Sequence, residues 1–222
     1  YGYQWWVYPG GVYGATGHYE QKIFVIPAAD MVVVFTGYLP DDELHPTDGI
    51  VYSYILEACN DLPDELHRQT YTGNGITFEH PTGSSLQEFP FPGEKEISDR
   101  SGMVQMTFIS YPFEIMNINW TQTDPDPDLD QYLDLLFAVL RQDSGQDLWT
   151  GDTWTGSIGE HEAAYQFFDL TNQGMEFRGL AGVWYCDQSG RGFASFYVTN
   201  PGVSDADLVD RTQQLIEGLE CH

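Results

Sequence analysis

Residues 14–36 read GATGHYEQKIFVIPAADMVVVFT. A small-residue turn around His18 leads into two short apolar runs, 23–26 and 31–35, parted by Pro27-Ala28-Ala29-Asp30. Both runs are β-branched and apolar at successive positions, which predicts an antiparallel hairpin covered on both faces. Upstream, residues 1–8 (YGYQWWVY) are rich in strand-favouring aromatics and stop at the turn Pro9-Gly10-Gly11. Downstream, beyond the polar loop at Pro40-Asp41-Asp42-Glu43, a helix is expected over 48–59. Thr47 caps it, Asn60 closes it, and Ile50, Val51, Tyr54, Ile55 and Ala58 share its apolar face. Elements of this kind carry more apolar surface than residues 1–60 can bury alone, so some partner has to cover the rest.

Residues 61–70 (DLPDELHRQT) are charged, interrupted by proline and without an apolar period, as in a linker. From Tyr71 a second unit begins. A strand is expected over 76–80, an irregular loop over 81–100, and two strands over 103–110 and 113–121 joined at Tyr111-Pro112. A helix follows, with Leu129, Tyr132, Leu133, Leu136, Phe137 and Leu140 at helical spacing. Strands over 161–170, 176–187 and 192–199 come next, with turns at Asn172-Gln173-Gly174 and Ser189-Gly190. Ser204 with Asp207 then opens a last helix that runs through Leu219. The fold class is α+β: a short antiparallel hairpin-plus-helix segment, then an antiparallel sheet with at least two packed helices.

Composition narrows the function. Among 222 residues, 34 acids face 8 bases, a net charge of −26 that repels nucleic acid and anionic membranes. Acid enrichment with lysine depletion (only Lys22 and Lys95) fits a halophilic protein, the alternative being a generic acidic secreted or surface protein. No apolar run approaches the roughly 20 residues that span a bilayer, so no membrane insertion is expected in this segment. The chain opens at Tyr1 without a signal peptide or initiator methionine, and is read as a processed, truncated or excised piece of a longer protein. Cys59, Cys186 and Cys221 are odd in number and widely spaced, and are read as buried or idle thiols.

Few residues offer chemistry. Asp124 to Asp130 alternate like a calcium loop but lack its sixth-position glycine and twelfth-position glutamate. Asp126 as helix cap with Pro127 at the first helical position accounts for the run without metal. His161-Glu162 opens a strand, where neighbours point to opposite faces and do not chelate one ion together. His45, His67 and His80 lie in or near loops without helical partners. Asn119-Trp120-Thr121 is a formal glycosylation triplet within a strand. There is no Gly-x-Ser-x-Gly, no Ser-x-x-Lys and no phosphate-binding glycine loop, and no cofactor or metal site is expected. His18, held by Gly17 at the mouth of the hairpin, remains the one candidate.

Tyr1-Gly2-Tyr3-Gln4-Trp5-Trp6, Gly17-His18, Gln21, Pro27 and Val32-Val33-Val34 occur in the order found near the C-terminal end of serine hydrolases. Residues 1–60 resemble that segment of the β-lactamase and penicillin-binding-protein class. The resemblance implies that His18 stands at the family's third motif. Gly17, Tyr19 and Glu20 would then line the strand edge that binds the acyl substrate and supplies oxyanion-stabilising N–H groups. Glu20 occupies the place of the motif's glycine. The nucleophile serine, its lysine and the Tyr-x-Asn motif would lie upstream, so this fragment is expected to be inactive, and its partner is the upstream hydrolase portion or another protein chain. An extracytoplasmic or cell-surface location follows from the same resemblance. Residues 71–222 are similar, by the opening Gly75-Ile76-Thr77-Phe78-Glu79-His80-Pro81 strand and by element order, to the PsbP/Mog1-like α/β/α sandwiches. That likeness implies a binding or accessory domain without catalytic residues. The competing reading of the whole chain is a non-catalytic protein- or ligand-binding module.

Overall fold

The computed structural model describes residues 4–37, 47–59, 61–108, 114–144, 147–172, 174–216 and 218–222. Tyr1-Gly2-Tyr3, the loop at Pro40, His45, Asn60, Tyr111-Pro112 and Gln173, to which expectations were attached, lie outside the described residues. The chain divides into unit 1 (Tyr1–Gln69, Pro81–Ser84 and Phe108–Tyr111) and unit 2 (Thr70–His80, Ser85–Thr107 and Pro112–His222).

Unit 1 is built on a four-stranded antiparallel meander in sequence order: β1 (Trp6–Val7), β2 (Tyr13–Thr16), β3 (Lys22–Ile26) and β4 (Met31–Phe35). Tight 3-10 turns at Pro9–Gly11, His18–Glu20 and Pro27–Ala29 join them. The register sets Phe24 between Gly14 and Val33, and Ile26 opposite Met31. This face packs on Val51, Tyr52, Leu56 and Leu66. Those residues come from helix α1 (Thr47–Ile50), which continues as a π turn over Val51–Ile55, and from α2 (Asp64–His67).

Two expectations fail here. The π turn, closed by Leu56 N–H donating to the Val51 carbonyl at 2.9 Å, rotates the buried face away from 3.6-residue spacing. Tyr52 and Leu56 go inside, while Tyr54 and Ala58, expected on the apolar face, are exposed. The hairpin is also covered on one face only: Val7, Tyr13, Ile23, Val32 and Val34 are exposed.

Apart from Arg68, Gln69, Pro81, Ser84 and Phe108, which belong to unit 1, unit 2 contains β5 (Arg68–Gly73), β6 (Ile76–Pro81) and β7 (Ser84–Phe89), followed by β8 (Ser101–Phe108) and β9 (Glu114–Gln122). Helix α3 (Leu129–Ser144) precedes β10 (Asp147–Ile158), β11 (His161–Asn172), β12 (Met175–Cys186) and β13 (Arg191–Thr199). Helix α4 (Asp205–Leu215) and β14 (Glu220–Cys221) complete it. A seven-stranded sheet has the order β10-β11-β12-β13-β9-β8-β7, and a three-stranded sheet the order β14-β6-β5. Residues 61–70, read as a linker, carry α2 and the first residues of β5. The stretch 81–100, expected to be irregular, contains β7.

Strand parity puts the two long helices on opposite faces of the large sheet. Leu133 and Phe137 of α3 pack on Ala164, Phe168, Ala181, Val183, Ala194 and Phe196, which share one face by the β11–β12–β13 register. On the other face, Arg211 of α4 forms a two-pronged pair with Glu114 (Nη2 to Oε2 2.8 Å, Nε to Oε1 3.3 Å), and the Tyr197 hydroxyl donates to the same carboxylate at 2.9 Å. Burial, reinforced by Glu114, drives the Tyr197 phenol far above its ordinary value.

The caps follow local chemistry. The N–H of Asp207 donates to Ser204 Oγ, as expected. Asp128 rather than Asp126 caps α3, accepting from the N–H of Gln131 at 3.1 Å, and Asp126 takes a left-handed φ of 57°. Thr47, expected as a cap, is the first residue of α1. Cys186 and Cys221 are not idle thiols. They form a disulfide across 35 residues, while Cys59 is free.

Phe137 is fully enclosed between Phe168 and Phe196 (ring centroids 5.6 and 6.1 Å away). Phe137→Ala is expected to cost unit 2 about 3–5 kcal/mol, measured as a fall in its chemical-denaturation midpoint.

Candidate functional site

His18, Tyr19 and Glu20 form the turn between β2 and β3, closed by the N–H of Gly17 donating to the Gln21 carbonyl at 2.7 Å. Gly17 itself is extended (φ −101°, ψ −178°). Tyr19 and Glu20 take φ of 60° and 62°, the left-handed region that favours glycine. The backbone thus takes, at two non-glycine residues, a conformation that glycine would adopt without penalty. His18 is exposed and its ring lies against that of Tyr19, with centroids 3.8 Å apart.

A buried charge cluster holds this turn. Lys22, the first residue of β3 and on the covered face with Phe24 and Ile26, is buried, and so is Glu20. Lys22 Nζ lies 2.9 Å from Glu20 Oε2 and donates at 2.9 Å to Asp48 Oδ1, and the Thr47 hydroxyl donates to Glu20 Oε2 at 2.5 Å. Burial alone pulls the Lys22 ammonium down. Its hydrogen bonds to Asp48 and Glu20, with their charges, outweigh that and raise its pKa above the ordinary 10.5.

The structure thus brings Gly17, His18, Tyr19 and Glu20 into one turn, but the Glu20 carboxylate is engaged with Lys22 and Thr47. Lys22, Thr47 and Asp48, which sequence reasoning did not single out as a group, fix its position. The one early hint was the scarcity of lysine, which makes a lysine inside an apolar strand conspicuous. Chemically, the turn offers an exposed imidazole against a tilted phenol ring, on a backbone held from below by an ion pair.

Two of the cavities in unit 2 are of a different kind. One, of 280 Å³, surrounds Arg191. Its guanidinium donates to the carbonyls of Asn74 (2.6 Å), Asp99 (2.9 Å) and Gly75 (3.1 Å) and sits over the Phe193 ring at 5.2 Å. Burial lowers its pKa. With its donors directed at main-chain carbonyls, Arg191 ties loops together instead of presenting a fork to an anion. The other cavity, of 270 Å³, is lined by Phe91, Pro92, Met103, Leu136, Phe168 and Phe196, with Asn117 and Asn119 as its polar members. It is apolar enough to take a small hydrophobic molecule. Among the described residues one set of three metal-ligand types gathers: His161 with Cys186 and Cys221.

No family model matches the sequence, and no curated protein matches it. Among solved structures, the chain is similar to cyanobacterial PsbP (CyanoP) from Synechocystis sp. PCC 6803, at 11% identity and a TM-score of 0.49 over 70% of this chain and 93% of that one. LpqN of Mycobacterium tuberculosis, involved in cell envelope biogenesis, gives 12% and 0.43 over 69% and 89%. A Pseudomonas aeruginosa protein of unknown function, PA94, gives 13% and 0.37 over 66% and 89%.

Lys22→Met removes the cation from two carboxylates, one of them buried, and is expected to cost unit 1 about 3–5 kcal/mol. Adding Glu20→Gln should recover part of that loss, as read from denaturation midpoints. The raised Lys22 pKa also gives the stability a pH dependence. The Lys22 contribution is intact below pH 10.5 and is lost as pH climbs through the higher folded value, a loss that Lys22→Met should not show.

Proposed function

We propose that unit 1 is the C-terminal sheet-and-helix portion of a β-lactamase-like serine hydrolase, and that unit 2 is a non-catalytic accessory domain with a PsbP-like α/β/α sandwich. One observation carries the first part. The register aligns Val7 with Tyr13, Tyr13 with Val25 and Val25 with Val32, and alongside them Ala15 with Ile23 and Ile23 with Val34. The result is one apolar surface on the meander, with Val7 74%, Val32 61% and Val34 56% exposed. Isolated exposed apolar residues need no explanation, but a contiguous apolar sheet face calls for a covering layer. In the proposed reading the remainder of the hydrolase supplies that layer together with the attacking serine. His18 then sits at the cleft edge, with Gly17, Tyr19 and Glu20 shaping the strand that receives the acyl group.

Unit 2 contributes binding rather than chemistry in this reading, and its apolar cavity behind α3 favours a small hydrophobic ligand. An extracytoplasmic setting and adaptation to high salt belong to the same proposal, supported by the motif resemblance and by the net charge of −26. No described helix is long and apolar enough to cross a membrane.

The 222-residue chain should show no saturable turnover of nitrocefin or a short-chain nitrophenyl ester. A cysteine placed at Val32, in a Cys59→Ser background, should react quickly with a maleimide in this chain and be shielded in the intact protein. Equal labelling of both would overturn the assignment of the open face. Separately, the unfolding temperature should rise substantially from low to molar salt if the acid surplus is halophilic; a flat profile rejects that element.

A further inference from the structure

His161 opens β11 and Cys186 closes β12. Their register pairs Ala163 with Trp184, and two residues further along it sets His161 across from Cys186. Cys221 arrives from a third element, β14, which pairs with β6 through Cys221 opposite Ile76. Its sulfur is bonded to that of Cys186, and His161 Nε2 lies 3.1 Å from Cys221 Sγ. The three donor atoms all lie within 4.8 Å of one another. A structural disulfide needs two sulfurs and no imidazole, so the third ligand-type atom is an observation the cross-link does not explain. Two cysteines and one histidine are a known donor set for zinc, with a water or other small ligand completing the tetrahedron.

We propose that Cys186, Cys221 and His161 form a redox-gated site for a thiophilic divalent cation, zinc by preference. In the oxidised protein the S–S bond engages both sulfurs and the site is closed to metal. A dithiol reductant opens it. Two electrons and two protons pass to the protein, the S–S bond breaks to give two thiols, and the dithiol becomes its own disulfide. Zinc entry then displaces both thiol protons, and neutral His161 binds through Nε2.

The geometry permits the change with little backbone movement. Tetrahedral coordination at a Zn–S distance of about 2.3 Å parts two sulfurs to about 3.8 Å. The Cα atoms of Cys186 and Cys221 are already 6.4 Å apart. Cys186 and Cys221 are buried and His161 is half-buried, so the ion enters on the imidazole side. Bound zinc replaces the covalent link between β14 and the end of β12, keeping the terminal strand in place under reducing conditions. Thiolates and an imidazole select zinc over calcium or magnesium, which separates this site from the acid-rich surface.

The test uses the full chain carrying Cys59→Ser, reduced with dithiothreitol, desalted without oxygen and titrated with cobalt(II) as a zinc probe. Cobalt gives a thiolate charge-transfer absorption that carboxylates do not. One equivalent should produce that band in the reduced protein and none in the oxidised protein, and zinc should bleach it. His161→Ala keeps both cysteines and the disulfide. It should weaken binding by at least about tenfold, the lower end of what even an outer-shell change costs. Cys186→Ser should abolish the band. The proposal is overturned if the reduced protein gives no thiolate band, if His161→Ala binds as tightly, or if oxidised and reduced protein take up the probe alike.

Discussion

A β-sheet has two faces, and an apolar one has to be covered by something. The large sheet of unit 2 meets this requirement from within: α3 lies on the face of Ala181, Val183 and Phe196, and α4 on the opposite face, pinned through Arg211 and Glu114. The meander of unit 1 meets it on one side only, where Val51, Tyr52, Leu56 and Leu66 enclose Phe24 and Ile26. The other side is as apolar in sequence as the first. The same rule that explains why unit 2 is layered makes the exposed apolar face of unit 1, with Val7, Val32 and Val34, the exception among the described residues.

The covered side of the meander is not purely apolar, because Lys22 and Glu20 are buried within it. Burying such a pair carries a desolvation cost that a hydrophobic pair would avoid, so its value lies in what it specifies. Here it holds a turn with two consecutive left-handed non-glycine residues, Tyr19 and Glu20, a conformation that costs each about 1–2 kcal/mol. In a chain with 34 acids and only two lysines, one lysine is used at this spot. The shape of the His18 turn is set by charge pairing from beneath, and this leaves the imidazole on the outside.

The elements that sequence made legible are those with strong periodicity. Leu129, Leu133 and Phe137 announce α3, and alternation through Ala181 and Val183 announces β12. Of the strands that escaped, β5, β7, β10 and β14 are each the edge of a sheet, whereas β2 is internal and was hidden by the small residues Gly14 and Ala15. An edge strand is half-solvated and keeps polar residues, as in Arg68–Gly73 and Ser84–Phe89, so it lacks the pattern that betrays a central strand. β10 also carries an irregularity between Thr150 and Thr153, which breaks the two-residue period. The π turn at Val51–Ile55 was hidden for a related reason: no composition signals a change from i+4 to i+5 bonding. Of the candidate site, Gly17, His18, Tyr19 and Glu20 could be named from motif order. Their ion-pair support could not, since Asp48 lies 26 residues from Lys22 and only the fold brings them together. The cysteine pair was missed likewise, because partners 35 residues apart on β12 and β14 have no signature in spacing.

Charge bears on what covers the open face of unit 1. Two copies of this chain, each at −26, repel one another across any self-contact at low ionic strength, so a second copy is a poor cover. At molar salt the screening length falls to about 3 Å and that repulsion no longer discriminates. What then separates a second copy from the remainder of the same polypeptide is connectivity. A covalently attached layer meets the face at an effective concentration in the millimolar range or above, whereas a free copy has to find it by diffusion. A covering layer on the same polypeptide, as proposed, would have tethering in its favour at any ionic strength. Self-association, by contrast, is opposed by charge at low ionic strength only.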